Sequence, residues 1–102
     1  MKKNHPVFAE MTRDILYQDV WNRPPLTQKE KSMVTVTLLM GLGKIEQLES
    51  HFNRALNNGV SVDELNGIIL HTAYYAGWPS AVSGLNHLKT VIENRKKKKQ
   101  NN

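Results

Sequence analysis

Two histidines hold most of the chemistry this sequence can offer. His51 follows Leu48 by three residues and precedes Ala55 by four, so on a helix it borders an apolar stripe. His71 follows Ile68 by three and precedes Tyr75 by four, and takes the same place on another apolar run. Imidazole ionises near neutral pH and is the natural carrier of a proton. Two such rings on consecutive helices, each edging a buried face, can converge on one pocket. Each can equally be a half-buried histidine satisfied by a hydrogen bond. His5 and His87 have no suggestive neighbours and read as surface or packing residues. Glu46 and Glu49 flank His51 but point to other faces and read as solvated.

Arg54 lies one turn after His51. Arg23 stands in "WNRPP", where a proline-stiffened loop can present its fork to a carboxylate. The bland alternative is an exposed loop arginine. Trp21 and Trp78 both lie beside proline turns, as core plugs or as pocket floors. Other chemistry is poorly supplied. The chain has no cysteine, which removes thiol nucleophiles, disulfides and thiolate metal sites together. No carboxylate cluster or second nearby histidine completes a metal set, so no metal is expected. "GLG" at 41–43 lacks the setting of a phosphate loop, and no Ser-His-Asp arrangement has local support.

The elements that must position these residues read as helices throughout. Pro6 suits a first turn, and Val7, Met11, Ile15 and Leu16 recur at helical spacing over 6–20. Pro24 and Pro25 break the chain. "TQKE" at 27–30 is a capping box and opens a helix over about 28–41. Residues 33–40 alone resemble a strand, but the cap and the length favour a buried helix. A third helix over about 44–58 carries Ile45, Leu48, Phe52, Ala55 and Leu56 on one stripe and stops at "NNG". A second capping box, "SVDE" at 61–64, starts a fourth helix with Leu65, Ile68, Ile69, Thr72, Ala73 and Ala76 on its apolar face. Gly77 ends it, and Pro79 and Ser80 start a fifth, with Val82, Leu85, Leu88 and Ile92 as its stripe.

A chain of 102 residues is one domain with a modest core, to which self-association would add. The net charge of +5 resides in "RKKKK" at 95–99, since the remainder holds nine basic and nine acidic residues. Residues 1–94 are therefore read as the helical domain and 95–102 as a basic tail, solvated and disordered. The body has no recognition helix rich in Arg and Lys, so nucleic acid is not an expected partner. The opening "MKKNHPVFAEM" lacks the apolar core of a signal peptide, and no apolar run approaches the ~20 residues of a membrane span. A cytoplasmic location is the expectation, with no membrane partner.

Together, "VWNRPPLTQKEKSMVTV", "HFNRALNNGVSVDEL" and "LHTAYYAGWPSAV" resemble the carboxymuconolactone decarboxylase family, within the alkylhydroperoxidase D-like superfamily, from about residue 20 to 92. The resemblance rests on the ordered set W-x-R-P, H-x-x-x-A-L-x-x-G-V and H-x-x-x-Y-A-G-x-P. It implies an all-α, single-domain subunit of about five helices, assembled as a homo-oligomeric ring, a hexamer or trimer. It implies a site at helix and subunit junctions, with His51 the consistent proton-transfer position. In alkylhydroperoxidase-type relatives a CxxC pair precedes that histidine; Lys44 and Gln47 stand there instead, which disfavours thiol peroxidase chemistry. Decarboxylase relatives often carry a glutamate four residues before the second histidine, where this sequence has Gly67, and that departure puts the family substrate in question. The expected function is a cofactor-independent decarboxylase acting on a small unsaturated lactone carboxylic acid. His51 and His71 are its expected catalytic residues, and Arg23, Arg54, Tyr75 and Trp78 are expected to bind substrate. Another small-molecule enzyme of the family, or a non-catalytic helical assembly module, remains the alternative.

Overall fold

The computed structural model describes residues 6–100. Helix α1 covers Pro6–Met11 and runs on as a π-helix over Thr12–Tyr17, followed by a 3-10 turn at Val20–Asn22. Helix α2 is Gln28–Gly41, α3 Leu48–Asn57, α4 Val62–Ala76 and α5 Trp78–Gln100, with a 3-10 turn at Ile45–Gln47 leading into α3. Among the described residues there are five α-helices and no strand. None of these helices is long and apolar enough to cross a membrane. His5 lies outside the described residues.

Both capping boxes form as the sequence dictates. Glu30 N–H donates to the Thr27 hydroxyl at 3.1 Å, and Thr27 N–H donates to the Glu30 carboxylate at 2.8 Å. The Ser61–Glu64 pair repeats this at 3.0 and 2.9 Å. The helix over 33–40 is confirmed, with Ser32, Val36 and Met40 as its buried line. Leu48, Phe52 and Ala55 of α3 and Leu65 and Ile69 of α4 close on that line. Gly77 ends α4 at a φ of 109°, a region that side chains with a Cβ rarely enter.

Five expectations need correction. Ile45, assigned to the stripe of the third helix, lies in the 3-10 turn before α3 and is exposed. The first segment is not one α-helix over 6–20, and Val7, Met11, Ile15 and Leu16 all stay exposed. The Thr12 hydroxyl donates to the Phe8 carbonyl at 2.8 Å where the α-helix gives way to the π form, a bond of the kind that bends helices. The buried stripe of α5 is Ala81, Gly84, Leu88 and Val91, while Val82 and Leu85 face out. The reason is close approach. A Cβ on Gly84 would lie 2.3 Å from Met40 Sδ, so α5 turns its small residues toward α2. Ala76, assigned to the apolar face of α4, is exposed.

The fifth correction concerns the basic run. Residues 95–99 are the last turns of α5 rather than a loose tail. Arg95 donates to Asn53 Oδ1 at 3.0 Å and to Asn57 Oδ1 at 3.2 Å, which ties the helix to α3. Cations in a final turn also complement the negative end of the helix dipole.

Candidate functional site

The π-helix and the 3-10 turn carry Tyr17 and Trp21, four residues apart, toward α3. Their rings stack with centroids 5.9 Å apart. Trp21 is 7% exposed and is the plug the sequence suggested. Lys31 of α2 holds this corner by donating its ammonium to the carbonyls of Val20, at 2.7 Å, and Arg23.

His51 and Arg54, one turn apart on α3, meet the aromatic pair. The His51 ring stacks on Trp21 at 6.4 Å between centroids, with planes 22° apart. The Arg54 guanidinium lies 4.2 Å from the Tyr17 ring centroid and 5.5 Å from that of Trp21. Aromatic faces attract a guanidinium without neutralising it, so Arg54 is oriented yet keeps its full charge for an anion. His51 Nδ1 is buried and has no hydrogen-bond partner among the described residues. An unmatched buried nitrogen costs on the order of 1–3 kcal/mol, a cost tolerated mostly where the group has other work. Among the described residues no group accepts from or donates to Nδ1, so none fixes the tautomer through that nitrogen. Burial, and then the nearby Arg54 charge, push the His51 pKa below the usual histidine value. At neutral pH the free protein therefore holds this imidazole uncharged.

The other expected site residues lie elsewhere. His71 is exposed on α4 and stacks on Tyr75 of the same helix at 4.7 Å. Its partner is thus Tyr75, and the structure does not join it to the Trp21 cluster. Tyr75 is 81% and Trp78 66% exposed. Trp78 helps line a small groove of about 170 Å3 between α4 and α5, with Ile69, Ala73 and Leu85. Arg23 is exposed and its fork is engaged by Asp19 of the preceding turn, which raises its pKa. In this structure its partner is the local Asp19 carboxylate, in an exposed ion pair. Gly67 makes no close helix approach, since a Cβ there would meet nothing within 4 Å.

Two features went unread in the sequence. Tyr17 stands four residues before Trp21, a helical spacing that could have flagged it. Glu49 is not merely solvated: it pairs with His87 at 2.7 Å and joins α3 to α5, a packing role of the kind expected for His87. Their separation of 38 residues left no local signal.

Comparison with known proteins gives the same family as the motifs. A sequence profile described as the carboxymuconolactone decarboxylase family matches residues 6–90. A 4-carboxymuconolactone decarboxylase from Acinetobacter baylyi is 37% identical over 86 residues, 84% of this chain and 64% of the relative. A nitrosuccinic acid decarboxylase from Metarhizium robertsii is 34% identical over 76 residues, 74% of this chain and 53% of the relative. The chain thus spans only about half to two thirds of the length of these relatives. On the extent of the profile match and these identities, the chain belongs to the carboxymuconolactone decarboxylase family.

Proposed function

We propose that the chain is a cofactor-independent decarboxylase of a small unsaturated lactone carboxylic acid, of the 4-carboxymuconolactone type. The observation that carries this reading is the cluster of His51, Arg54 and Trp21 in a chain whose relatives are named as decarboxylases. Both named substrates are acids whose carboxylate leaves next to an electron acceptor, a lactone in one and a nitro group in the other.

In the lactone case the bond between the γ-carbon and its carboxylate breaks. The electron pair enters the unsaturated ring and the lactone carbonyl oxygen gains negative charge. A proton then adds at the carbon alpha to that carbonyl. Arg54, charged and held against the rings of Tyr17 and Trp21, anchors a substrate carboxylate. His51 supplies the proton and a hydrogen-bond donor to the developing oxyanion. An anionic substrate beside His51 favours its protonated form and so opposes the effect of burial on the free protein. Trp21 shields the ring from water, which strengthens both interactions.

The proposal includes self-association. Val34 and Leu38 of α2, and Leu70, Trp78, Val82 and Leu85 on the α4–α5 side, leave apolar faces exposed. Faces of this kind on a small chain are commonly covered by another copy. Covering the α4–α5 side would shield His71, Tyr75 and Trp78 and bring them into reach of a junction site.

Release of CO2 from 4-carboxymuconolactone by purified protein tests the reading, with nitrosuccinic acid as the second substrate. Turnover of the lactone that is lost in His51→Ala supports it. Turnover of the nitro acid alone moves the substrate, and release from neither substrate refutes the decarboxylase.

A further inference from the structure

The five consecutive cations at 95–99 carry the net charge of the whole chain. The last turns of α5 lie beside the second half of α3 and leave a groove of about 590 Å3. It is lined by Asn53 and Asn57 of α3 and by Asn94, Arg95, Lys98 and Lys99 of α5. Arg95 reaches to its α3 wall, donating one terminal nitrogen to Asn53 Oδ1 and the other to Asn57 Oδ1. Both acceptors are neutral amides. A guanidinium has five N–H donors, so most of its fork stays open.

Nothing among the described residues answers this charge. Among the described residues no carboxylate lies within ion-pair distance of Arg95 or of any lysine at 96–99. Glu49, one turn before Asn53, is committed to His87. Lys98 and Lys99 follow Arg95 by three and four positions and so share its face of the helix. These like charges repel at the spacing where opposite charges would attract, and the helix dipole offsets only part of that. A fold that orients an arginine with two amides, without neutralising it, and sets two ammonium groups beside it has the makings of an anion receptor. The planar fork with adjacent point charges suits the several oxygens and multiple charge of a phosphate better than a lone carboxylate. The volume falls within the roughly 300–1,000 Å3 of small-molecule sites.

We infer that the α3–α5 groove binds a small anionic ligand that carries a phosphate or diphosphate group. Asn53 is two positions from His51, which on a helix is about 200° around the axis, so the groove opens away from the His51 ring, although Asn57 neighbours Arg54 at i+3. The inference does not depend on the decarboxylase reading.

Calorimetric titration of the full chain with ADP and with inorganic pyrophosphate, at about 0.15 M salt, tests it. Arg95→Gln should weaken both probes by about ten- to a hundredfold, the range for charged hydrogen bonds. Asn53→Ala with Asn57→Ala should weaken them less, at unchanged net charge, because only the positioning of Arg95 is lost. Lys96→Gln with Lys97→Gln, which removes two charges that do not line the groove, should change affinity far less than Arg95→Gln. Circular dichroism checks that α5 persists in each variant. Three results would overturn the inference: no binding of either probe at millimolar concentration; equal losses from the groove and off-groove variants; or binding of a single-stranded oligonucleotide of about 20 nucleotides far tighter than ADP, with every cation contributing alike. The last would reassign the segment to diffuse polyanion attraction.

Discussion

His51 and His71 occupy the same place in their helices and different places in the protein. Each follows an apolar residue by three positions and each stacks on an aromatic ring. The partner of His51 is Trp21, which comes from another element, is buried, and sits in a corner clamped by Lys31. The partner of His71 is Tyr75, four residues on along the same helix and open to solvent. A stack within one helix adds no tertiary constraint. A stack across elements half-buries the ring, with Nδ1 buried and orphaned, and this burial, with the Arg54 charge, lowers the pKa. Burial supplied by a distant element, and not spacing along the helix, separates a chemical candidate from a surface histidine.

Activity gives the sharpest contrast. Loss of a general acid–base group lowers turnover by about 100- to 10,000-fold, and His51→Ala should fall in that range in the CO2-release assay. His71→Ala should retain far more activity. The reverse order would break the comparison and place the proton donor on α4.

Stability separates the two tryptophans next. Trp21→Ala removes a buried aromatic and should cost about 3–5 kcal/mol in urea denaturation. Trp78→Ala removes an exposed ring, and surface changes usually stay within about 0.5 kcal/mol. A large loss at Trp78 that varies with protein concentration would show that this face is covered by another copy.

The arginines form a third pair. Arg54→Gln removes a charged donor held by two rings and should lower kcat/KM by about 10- to 100-fold, mostly through KM. Arg23→Gln should act weakly, because Asp19 already engages that side chain.

What the sequence made legible follows from how local each signal is. The two capping boxes, the Gly77 stop and the helical nature of 33–40 depend on neighbours within a few residues, and all were readable. His51 and Arg54 were readable as a pair because one turn of helix joins them. The face of α5 was misread because periodicity weighs large side chains, while the packing there depends on Gly84 making room for Met40. The tie of Arg95 to Asn53 and the pair Glu49–His87 join residues 42 and 38 positions apart. No pattern within one helix contains them. The partner of Arg23 was within local reach: Asp19 is only four residues away, and the i,i+4 pairing rule finds it.

The lowered pKa of His51 also has a sign in stability. The native state disfavours the charged ring, so below the usual 6.5 the unfolded chain binds the proton more readily. The contribution of His51 is present in full above that value and is lost as pH falls through the lower, folded-state value. Denaturation of wild type and His51→Gln should therefore show a difference that shifts against wild type on acidification through this window. A difference independent of pH would mean that the ring is as well hydrated as an exposed histidine.

The smallest effect concerns Gly67, four residues before His71 on α4. It is exposed, its φ is not in the left-handed region, and a Cβ would meet nothing within 4 Å. Among the described residues nothing requires glycine there. In a helix interior glycine leaves the unfolded chain with excess freedom, so Gly67→Ala should stabilise the protein by about 0.4–1 kcal/mol. Thermal denaturation of the two proteins at matched concentration measures this. A loss instead of a gain would mean that another surface, a second copy or a ligand, approaches α4 at this position too closely for a methyl group. The exposed half of the histidine comparison would then be a covered one.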